Sequence, residues 1–509
     1  MNILLKKSVQ RIILLATSFM IQIGVTIFFT LQYRESFFNF YFASLILSIV
    51  IAFIIINNKS NPSYKIAWMI PILIFPIFGG LFYLLYGGNK LSTREKLKME
   101  IQKIKMTNSL KQDQQIMENL AEENICAKNQ SKYILDYAKC PVYNNTETTY
   151  FKIGEEKYEA LLKELEKAQK FIFLEYFIIQ EGKMFNSILE ILERKAKEGV
   201  DVRLIYDDVG CLVTLPHNYH KKLEKKGIKC RVFNPVKLFY TRRLNNRDHR
   251  KIVVIDGNVG FTGGINLADE YINEYEKHGY WKDAAIMLKG DAVWNLTIMF
   301  LSMWDYIVNI DEDYMKFKPS KDKKYDSIGY VQPFDDSPLV NEPIGETVYL
   351  NLINKAQKYI YINTPYLIID NEMATALKIA SKSGVDVKIV TPYIPDKKLV
   401  HAVTKSHYES FIKDNIEIYE FTPGFMHAKT FVVDDEYAVV GSINLDFRSL
   451  YLHYECGVWM YNTDSISDVK KDYLKTLEKC HKVTMEECKN TSKIRKFGRL
   501  LIRMFAPLL

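Results

Sequence analysis

Two copies of one short pattern hold the residues best suited to chemistry. His249-Arg250-Lys251 is followed by Asp256 and His427-Ala428-Lys429 by Asp434, so each copy reads His-x-Lys-x4-Asp. Each histidine has an asparagine 17 positions downstream, in Gly263-Gly264-Ile265-Asn266 and in Gly441-Ser442-Ile443-Asn444. A chance match would not repeat its downstream partner in register. Two imidazoles, two ammonium groups and two side-chain amides are enough to hold a phosphodiester, attack it and protonate what leaves. Lysine neutralises phosphate oxygens and asparagine donates hydrogen bonds to them. Neutral imidazole is a competent nucleophile toward phosphorus and keeps a pKa near neutrality.

These side chains need rigid elements to carry them. Lys251 leads into the apolar, β-branched run Ile252-Val253-Val254-Ile255, and Lys429 into Thr430-Phe431-Val432-Val433. Both read as buried strands. On a strand, residues two apart point to the same face, so each histidine is expected beside its lysine. Asp256 and Asp434 count with the motifs as candidate catalytic residues. Lying five residues beyond the lysine, they carry more weight as strand ends than as groups touching substrate. Glu175, Asp283 and Glu455 are candidate carboxylates for orienting the imidazoles. His217, His220, His278, His401, His407, His453 and His481 have no ligand-like spacing and read as structural.

The chain around the motifs repeats too. Lys197-Glu198-Gly199-Val200-Asp201-Val202-Arg203-Leu204-Ile205 parallels Lys382-Ser383-Gly384-Val385-Asp386-Val387-Lys388-Ile389-Val390. Phe171-Ile172-Phe173-Leu174 precedes the first and Tyr359-Ile360-Tyr361-Ile362 the second. Each half therefore runs strand, helix, strand, helix, strand and then the histidine motif. That order predicts an α/β fold of two similar halves with mixed, largely parallel sheets, sharing one cleft. The expected divisions are membrane-anchoring apolar segments over 1–89, a helical solvated linker over 90–128, a first half over 129–325, a second half over 326–490 and a basic amphipathic tail over 491–509.

The net charge of +8 over 509 residues makes anionic partners plausible without selecting one. Seven scattered cysteines form neither a zinc pattern nor a disulfide framework, and no cofactor or metal is expected. The absence of a G-x-x-x-x-G-K-[ST] loop argues against nucleotide-driven chemistry. A membrane-tethered nuclease remains an alternative, but basic and aromatic residues are not interleaved near the motifs, so no nucleic acid is expected. A scaffold that only binds lipid would not need two histidines in register.

Three apolar stretches, Ile12–Leu31, Phe37–Ile56 and Ile66–Tyr86, open the chain. About 20 apolar residues cross a bilayer core as a helix. Pro71, Pro76, Gly79 and Gly80 interrupt the third, as in a re-entrant segment. If only the first two cross, Lys6, Lys7, Arg11, Lys59, Lys65 and the basic residues from Lys90 to Lys105 share one side, leaving Arg34 alone on the other. Basic residues favour the cytoplasm. The expectation is a multi-pass cell-membrane protein whose catalytic part faces the cytoplasm. The tail, Lys493-Ile494-Arg495-Lys496-Phe497-Gly498-Arg499-Leu500-Leu501-Ile502-Arg503, has the pattern of a helix lying on an anionic membrane.

The duplicated motif resembles the phospholipase D superfamily. The wider pattern, including Asn246-Arg247-Asp248-His249, Thr364-Pro365-Tyr366 and Asn444-Leu445-Asp446-Phe447-Arg448-Ser449, resembles its bacterial cardiolipin synthases over nearly the whole chain. The resemblance implies a metal-free transfer between two phosphatidylglycerol molecules, giving cardiolipin and glycerol through a phosphatidyl-histidine. It implies His249 as nucleophile, His427 as acid and base, Lys251 and Lys429 as catalytic cations, and Asn266 and Asn444 as phosphate-binding groups. The residues alone leave the two histidine roles exchangeable. They also leave open another phospholipid donor or acceptor.

Overall fold

The computed structural model describes residues 93–235, 245–319, 323–339 and 342–508, together with 34–58, 60–74 and isolated positions nearby. The chain divides into two compact units. One comprises Met1–Lys90, Val236–Leu244 and Leu501–Leu509, and the other Leu91–Pro235 and Asn245–Leu500.

In the smaller unit, α1 (Arg34–Ile56) packs on α2 (Pro62–Ile74) through Ile51, Ile55, Trp68 and Ile72. Ser48 closes the contact by donating to the Ile72 carbonyl at 3.2 Å. The outer face of α1 leaves Phe38, Phe42, Phe53 and Ile54 exposed. Among the described residues no helix is long and apolar enough to cross a membrane. The first apolar stretch lies almost wholly outside the described residues, and so does most of the third beyond Ile74.

The larger unit begins with α3 (Thr93–Ser109), α4 (Gln114–Glu123) and α5 (Ile125–Ala138). Asp113 and Asn124 cap the latter two by accepting from backbone N–H groups, which would otherwise lack partners. The expected linker is thus helical, but it is not merely solvated. Leu110, Met117, Leu120 and Ala127 enter the main apolar core.

The first half follows as β1 (Thr146–Phe151), α6 (Gly154–Glu166), β2 (Phe171–Tyr176), α7 (Lys183–Lys197), β3 (Asp201–Asp207), α8 (Tyr219–Glu224), β4 (Lys229–Phe233), β5 (Ile252–Ile255), β6 (Val259–Gly263), β7 (Tyr280–Lys282), β8 (Ala285–Gly290) and α9 (Val293–Val308). The second is β9 (Tyr330–Asp336), α10 (Ile344–Lys355), β10 (Tyr359–Asn363), β11 (Leu367–Ile368), α11 (Asn371–Lys382), β12 (Asp386–Pro392), α12 (Lys398–Lys413), β13 (Glu417–Phe421), β14 (Gly424–Met426), β15 (Thr430–Val433), β16 (Tyr437–Gly441), β17 (Leu445–Asp446), α13 (Phe447–Tyr451), β18 (Glu455–Tyr461), α14 (Asp464–Leu477) and β19 (Cys480–Lys482). Then come α15 (Met485–Asn490) and α16 (Lys493–Met504).

The strand order is β1-β8-β6-β5-β2-β3-β4 in one sheet and β19-β13-β12-β10-β15-β16-β18-β9 in the other. The expectation of largely parallel sheets needs correction. Only β2-β3-β4 and β10-β12-β13 run parallel, and the remaining neighbours are antiparallel. The helix crossovers make the parallel part, as expected. Past each histidine motif the chain instead returns by tight hairpins, β5 to β6 and β15 to β16, which can only pair antiparallel. The two sheets meet through β6 and β8 against β16 and β18, and α9 packs on both β2 and β9. Phe300 of α9 stacks on Phe173 with centroids 4.6 Å apart. Both motifs therefore stand at one seam between the halves.

Candidate active site

Each motif histidine stands just before a buried strand rather than on it, since β5 begins at Ile252 and β15 at Thr430. What fixes the extended segments is the opposite half. Asp248 forms an isolated parallel bridge with Tyr454, and the His249 N–H donates to the Tyr454 carbonyl at 2.9 Å. On the other side β14 pairs parallel with β7, Met426 opposite Lys282, and the His427 N–H donates to the Lys282 carbonyl at 2.7 Å. The residue after each of those carbonyls is a carboxylate. Glu455 thereby reaches His249, and Asp283 reaches His427.

His249 Nδ1 lies 2.9 and 3.0 Å from the two oxygens of Glu455. His427 Nδ1 lies 2.5 Å from Asp283 Oδ2. Both carboxylates are fully buried. A carboxylate on Nδ1 holds the proton there and leaves Nε2 with its lone pair. Two further contacts seat the carboxylates. Ser442 Oγ donates to Glu455 Oε2 at 2.5 Å, and the Ala284 N–H donates to Asp283 Oδ1 at 2.8 Å. Gly264 occupies the position of Ser442 in the other half. A Cβ there would stand 2.1 Å from Asp283 Oδ1, so the carboxylate itself excludes a side chain.

The lysines are as enclosed as the histidines. Lys251 and Lys429 are each 2% exposed, and each ammonium donates to the carbonyl of its own motif histidine. Burial pushes Lys251 down to about 8 and Lys429 down to about 7. Burial, then the lysine ammoniums, holds His249 well below its ordinary value. Burial and Lys429 hold His427 to about 4 against the pull of Asp283. The site is thus rich in suppressed positive charge, which an anion would restore.

Asn266 accepts from the Ile178 N–H at 3.0 Å and donates to the Tyr271 hydroxyl at 2.7 Å, which leaves one amide hydrogen to offer. Asn444 is buried, with Oδ1 lacking a hydrogen-bond partner. Asp256 and Asp434 lie away from this cluster, at the other ends of β5 and β15. Asp256 accepts from the Gln169, Lys170 and Phe171 N–H groups at 2.7 to 2.9 Å, and Asp434 from those of Gln357, Lys358 and Tyr359 at 2.6 to 2.8 Å. They tie the hairpin ends to the starts of β2 and β10. Glu175 does not reach an imidazole: it pairs with Arg250 at 2.5 Å.

One neighbour escaped the motif spacing. His453, expected to be structural, has its ring centroid 5.5 Å from that of His249. Its place two residues before Glu455 was the available signal. Trp281 holds the same place before Asp283, with its ring 5.2 Å from His427. The two imidazoles therefore differ in company. His427 is walled by Trp281, Tyr271 and Phe425, and His249 by Phe177 and His453. Among the described residues, His249, His453 and Glu455 are the group of three side chains that could hold a metal ion.

A family model described as cardiolipin synthase, PLD-like domain matches residues 161–289 and again 349–477. One described as phospholipase D-nuclease N-terminal matches 46–88. A cardiolipin synthase of Alkalihalophilus pseudofirmus is 33% identical over 91% of this chain and 92% of its own length. An uncharacterised protein of Streptococcus mutans is 47% identical over 89% of this chain and 98% of its own. The crystal structure of a phosphatidylserine synthase from Haemophilus influenzae shares the fold, with a TM-score of 0.56 at 15% identity, covering 75% of this chain and all of that one.

Proposed function

The chain belongs to the family of cardiolipin synthases with phospholipase D-like domains, and we propose that it transfers a phosphatidyl group from one phosphatidylglycerol to another, releasing glycerol. The observation that carries this is the pair of imidazoles, each with Nδ1 held by a buried carboxylate and each flanked by a buried lysine.

The phosphodiester lies between Lys251 and Lys429, with Asn266 and Asn444 on its non-bridging oxygens. Its negative charge restores the protonated state that burial suppresses in the two lysines and in His427, whose Nε2 then carries a proton as well as its Nδ1. His249 Nε2 attacks phosphorus, and the bond to the glycerol oxygen breaks. His427 gives its proton to that oxygen, and glycerol leaves. Glu455 stabilises the charge that grows on His249 as the phosphorus–nitrogen bond forms. In the second step, neutral His427 takes a proton from a hydroxyl of the second phosphatidylglycerol. The resulting alkoxide attacks phosphorus, the phosphorus–nitrogen bond breaks, and cardiolipin forms. Positioning and charge stabilisation do this work with side chains alone.

Membrane attachment follows from the same reading, because both substrates are lipids. The exposed apolar residues of α1 support it, and so does α16. There Ile494 is 85% and Phe497 63% exposed among Lys493, Arg495 and Lys496. We place the catalytic unit on the cytoplasmic side, on the distribution of basic residues at the segment ends.

Purified protein given phosphatidylglycerol alone should form cardiolipin and glycerol in equal amounts, read by mass spectrometry. A requirement for a cytidine-diphosphate-activated lipid would defeat the proposal.

A further inference from the structure

His453 is 9% exposed, and neither of its ring nitrogens has a hydrogen-bond partner. A buried polar group without a partner is costly and rarely kept unless something visits it. Its Nδ1 lies 3.7 Å from Glu455 Oε1, too far for a hydrogen bond. The same oxygen lies 2.9 Å from His249 Nδ1. One donor atom from each of the three residues lies within 4.8 Å of the other two. In a tetrahedral zinc site with bonds of about 2.0 to 2.1 Å, ligand atoms stand about 3.3 Å apart. The observed separations bracket that value.

We propose that His249, Glu455 and His453 form a second, inhibitory site for a borderline divalent cation such as Zn2+. Two imidazoles and a carboxylate are a common zinc donor set, and a fourth position would remain for water. The cation takes the Nδ1 lone pair of His249. The proton that sat on Nδ1 moves to Nε2, so no net proton is released, but the nitrogen facing phosphorus no longer carries a lone pair. Glu455 is drawn from its hydrogen bond into coordination, and His453 exchanges its 3.7 Å contact with that carboxylate for a bond to the metal. The enzyme then holds its fold and loses its nucleophile.

The other half supplies the internal contrast. Trp281 replaces His453 there, two residues before Asp283, and an indole N–H donates but cannot ligate. One imidazole of the pair is therefore open to a metal and its counterpart is not. Magnesium and calcium, which prefer oxygen ligands, would not use the site.

The inhibitory consequence rests on the catalytic reading of His249, while the binding itself does not. The test uses the full chain in detergent, without a histidine tag. Equilibrium dialysis against Zn2+, with metal counted per chain, should show one more bound ion in the parent protein than in His453→Ala. In the phosphatidylglycerol assay Zn2+ should inhibit the parent, and Mg2+ at the same concentration should not. The half-inhibiting Zn2+ concentration should rise in His453→Ala by at least the roughly 10- to 100-fold that loss of even an outer-shell partner costs a metal site. His453→Asn replaces the alanine variant if the latter loses its thermal unfolding transition. Equal zinc counts in parent and variant would overturn the site. Zinc bound through His453 without inhibition would overturn the tautomer consequence. If no cardiolipin forms in the absence of metal, the catalytic reading fails while the dialysis still decides the site.

Discussion

Glu455 and His249 belong to different halves of the chain, 206 residues apart, yet both carboxylate oxygens lie within 3.0 Å of the imidazole Nδ1. Asp283 and His427 make the reciprocal pair across the same seam. Each half therefore supplies an imidazole and the carboxylate that orients the other half's imidazole. Neither half alone holds an imidazole together with the carboxylate that orients it.

The exchange of carboxylates has a direct consequence. Glu455→Gln and Asp283→Asn keep the shape but no longer fix the tautomer, a change that costs a serine protease about 10⁴ in turnover. Each variant should lose roughly 10²- to 10⁴-fold in kcat with its thermal transition near that of the parent. Glu175→Gln should differ. It takes from buried Arg250 the nearer of its two carboxylates and leaves only Asp248, at 3.3 Å, so it should lower stability before it lowers the rate of the folded protein. Steady-state rates beside thermal melts separate the two. Equal kcat losses in all three without loss of stability would contradict the assignment.

Asp256 and Asp434 give the complementary case. Each accepts three backbone N–H groups at a hairpin end and touches no residue of the imidazole cluster. Asp256→Ala and Asp434→Ala should each cost about 1 to 3 kcal/mol in denaturant unfolding, since three backbone donors lose their acceptor, one of them in buried Phe171 or buried Tyr359 respectively. The folded fraction should keep most of its turnover. A variant that melts like the parent but is inactive would return the aspartate to the catalytic group.

Much of this was legible in the sequence, and its limits have physical causes. The histidines, lysines and asparagines could be read because a strand repeats its geometry locally, so equal spacing means equal placement. Asp283 and Glu455 could be picked out as carboxylates, but not which imidazole each serves. That pairing is set by β7 against β14 and by Asp248 against Tyr454, contacts between segments far apart in the chain. Sheet direction failed for a different reason: the apolar run Ile252–Ile255 looks alike in a parallel or an antiparallel sheet, and the tight turn after it decides its pairing with β6. His453 was marked only by its place two residues before Glu455, since its relation to His249 exists only across the seam.

The charge state of the site should depend on its occupant. Burial, with Lys251 opposite, holds Lys429 to about 7 against the pull of Asp283. A phosphodiester anion favours the ammonium and raises that value, so at pH 8 the protonated fraction grows on binding. A non-reactive phosphonate analogue should therefore take up protons. Calorimetry in two buffers of different ionisation enthalpy reads the uptake, which should shrink in Lys429→Met. kcat/KM, which reports the free enzyme, should already fall as pH rises above about 4, where His427 loses the proton it must donate, and fall more steeply through about 7 to 8 as Lys429 and Lys251 discharge. Binding heat independent of buffer would contradict this.

Topology can be tested apart from catalysis. In an otherwise cysteine-free chain, Asn129→Cys and Asn490→Cys should resist a membrane-impermeant thiol reagent in intact cells and react once the membrane is opened. Glu35→Cys should react in both. Labelling of Asn129→Cys in intact cells would place the catalytic unit on the outer face.

The central claim is that a lipid phosphate passes through a covalent bond to a histidine. The most direct measurement is acid quench of His427→Ala with phosphatidylglycerol, followed by peptide mass spectrometry, because the missing general base stalls the second step. The expected result is a phosphatidyl adduct on the peptide carrying His249, absent from His249→Ala. An adduct on His427 in the reciprocal variant alone would reverse the two roles, and a full cardiolipin yield with no adduct on either histidine would contradict the account.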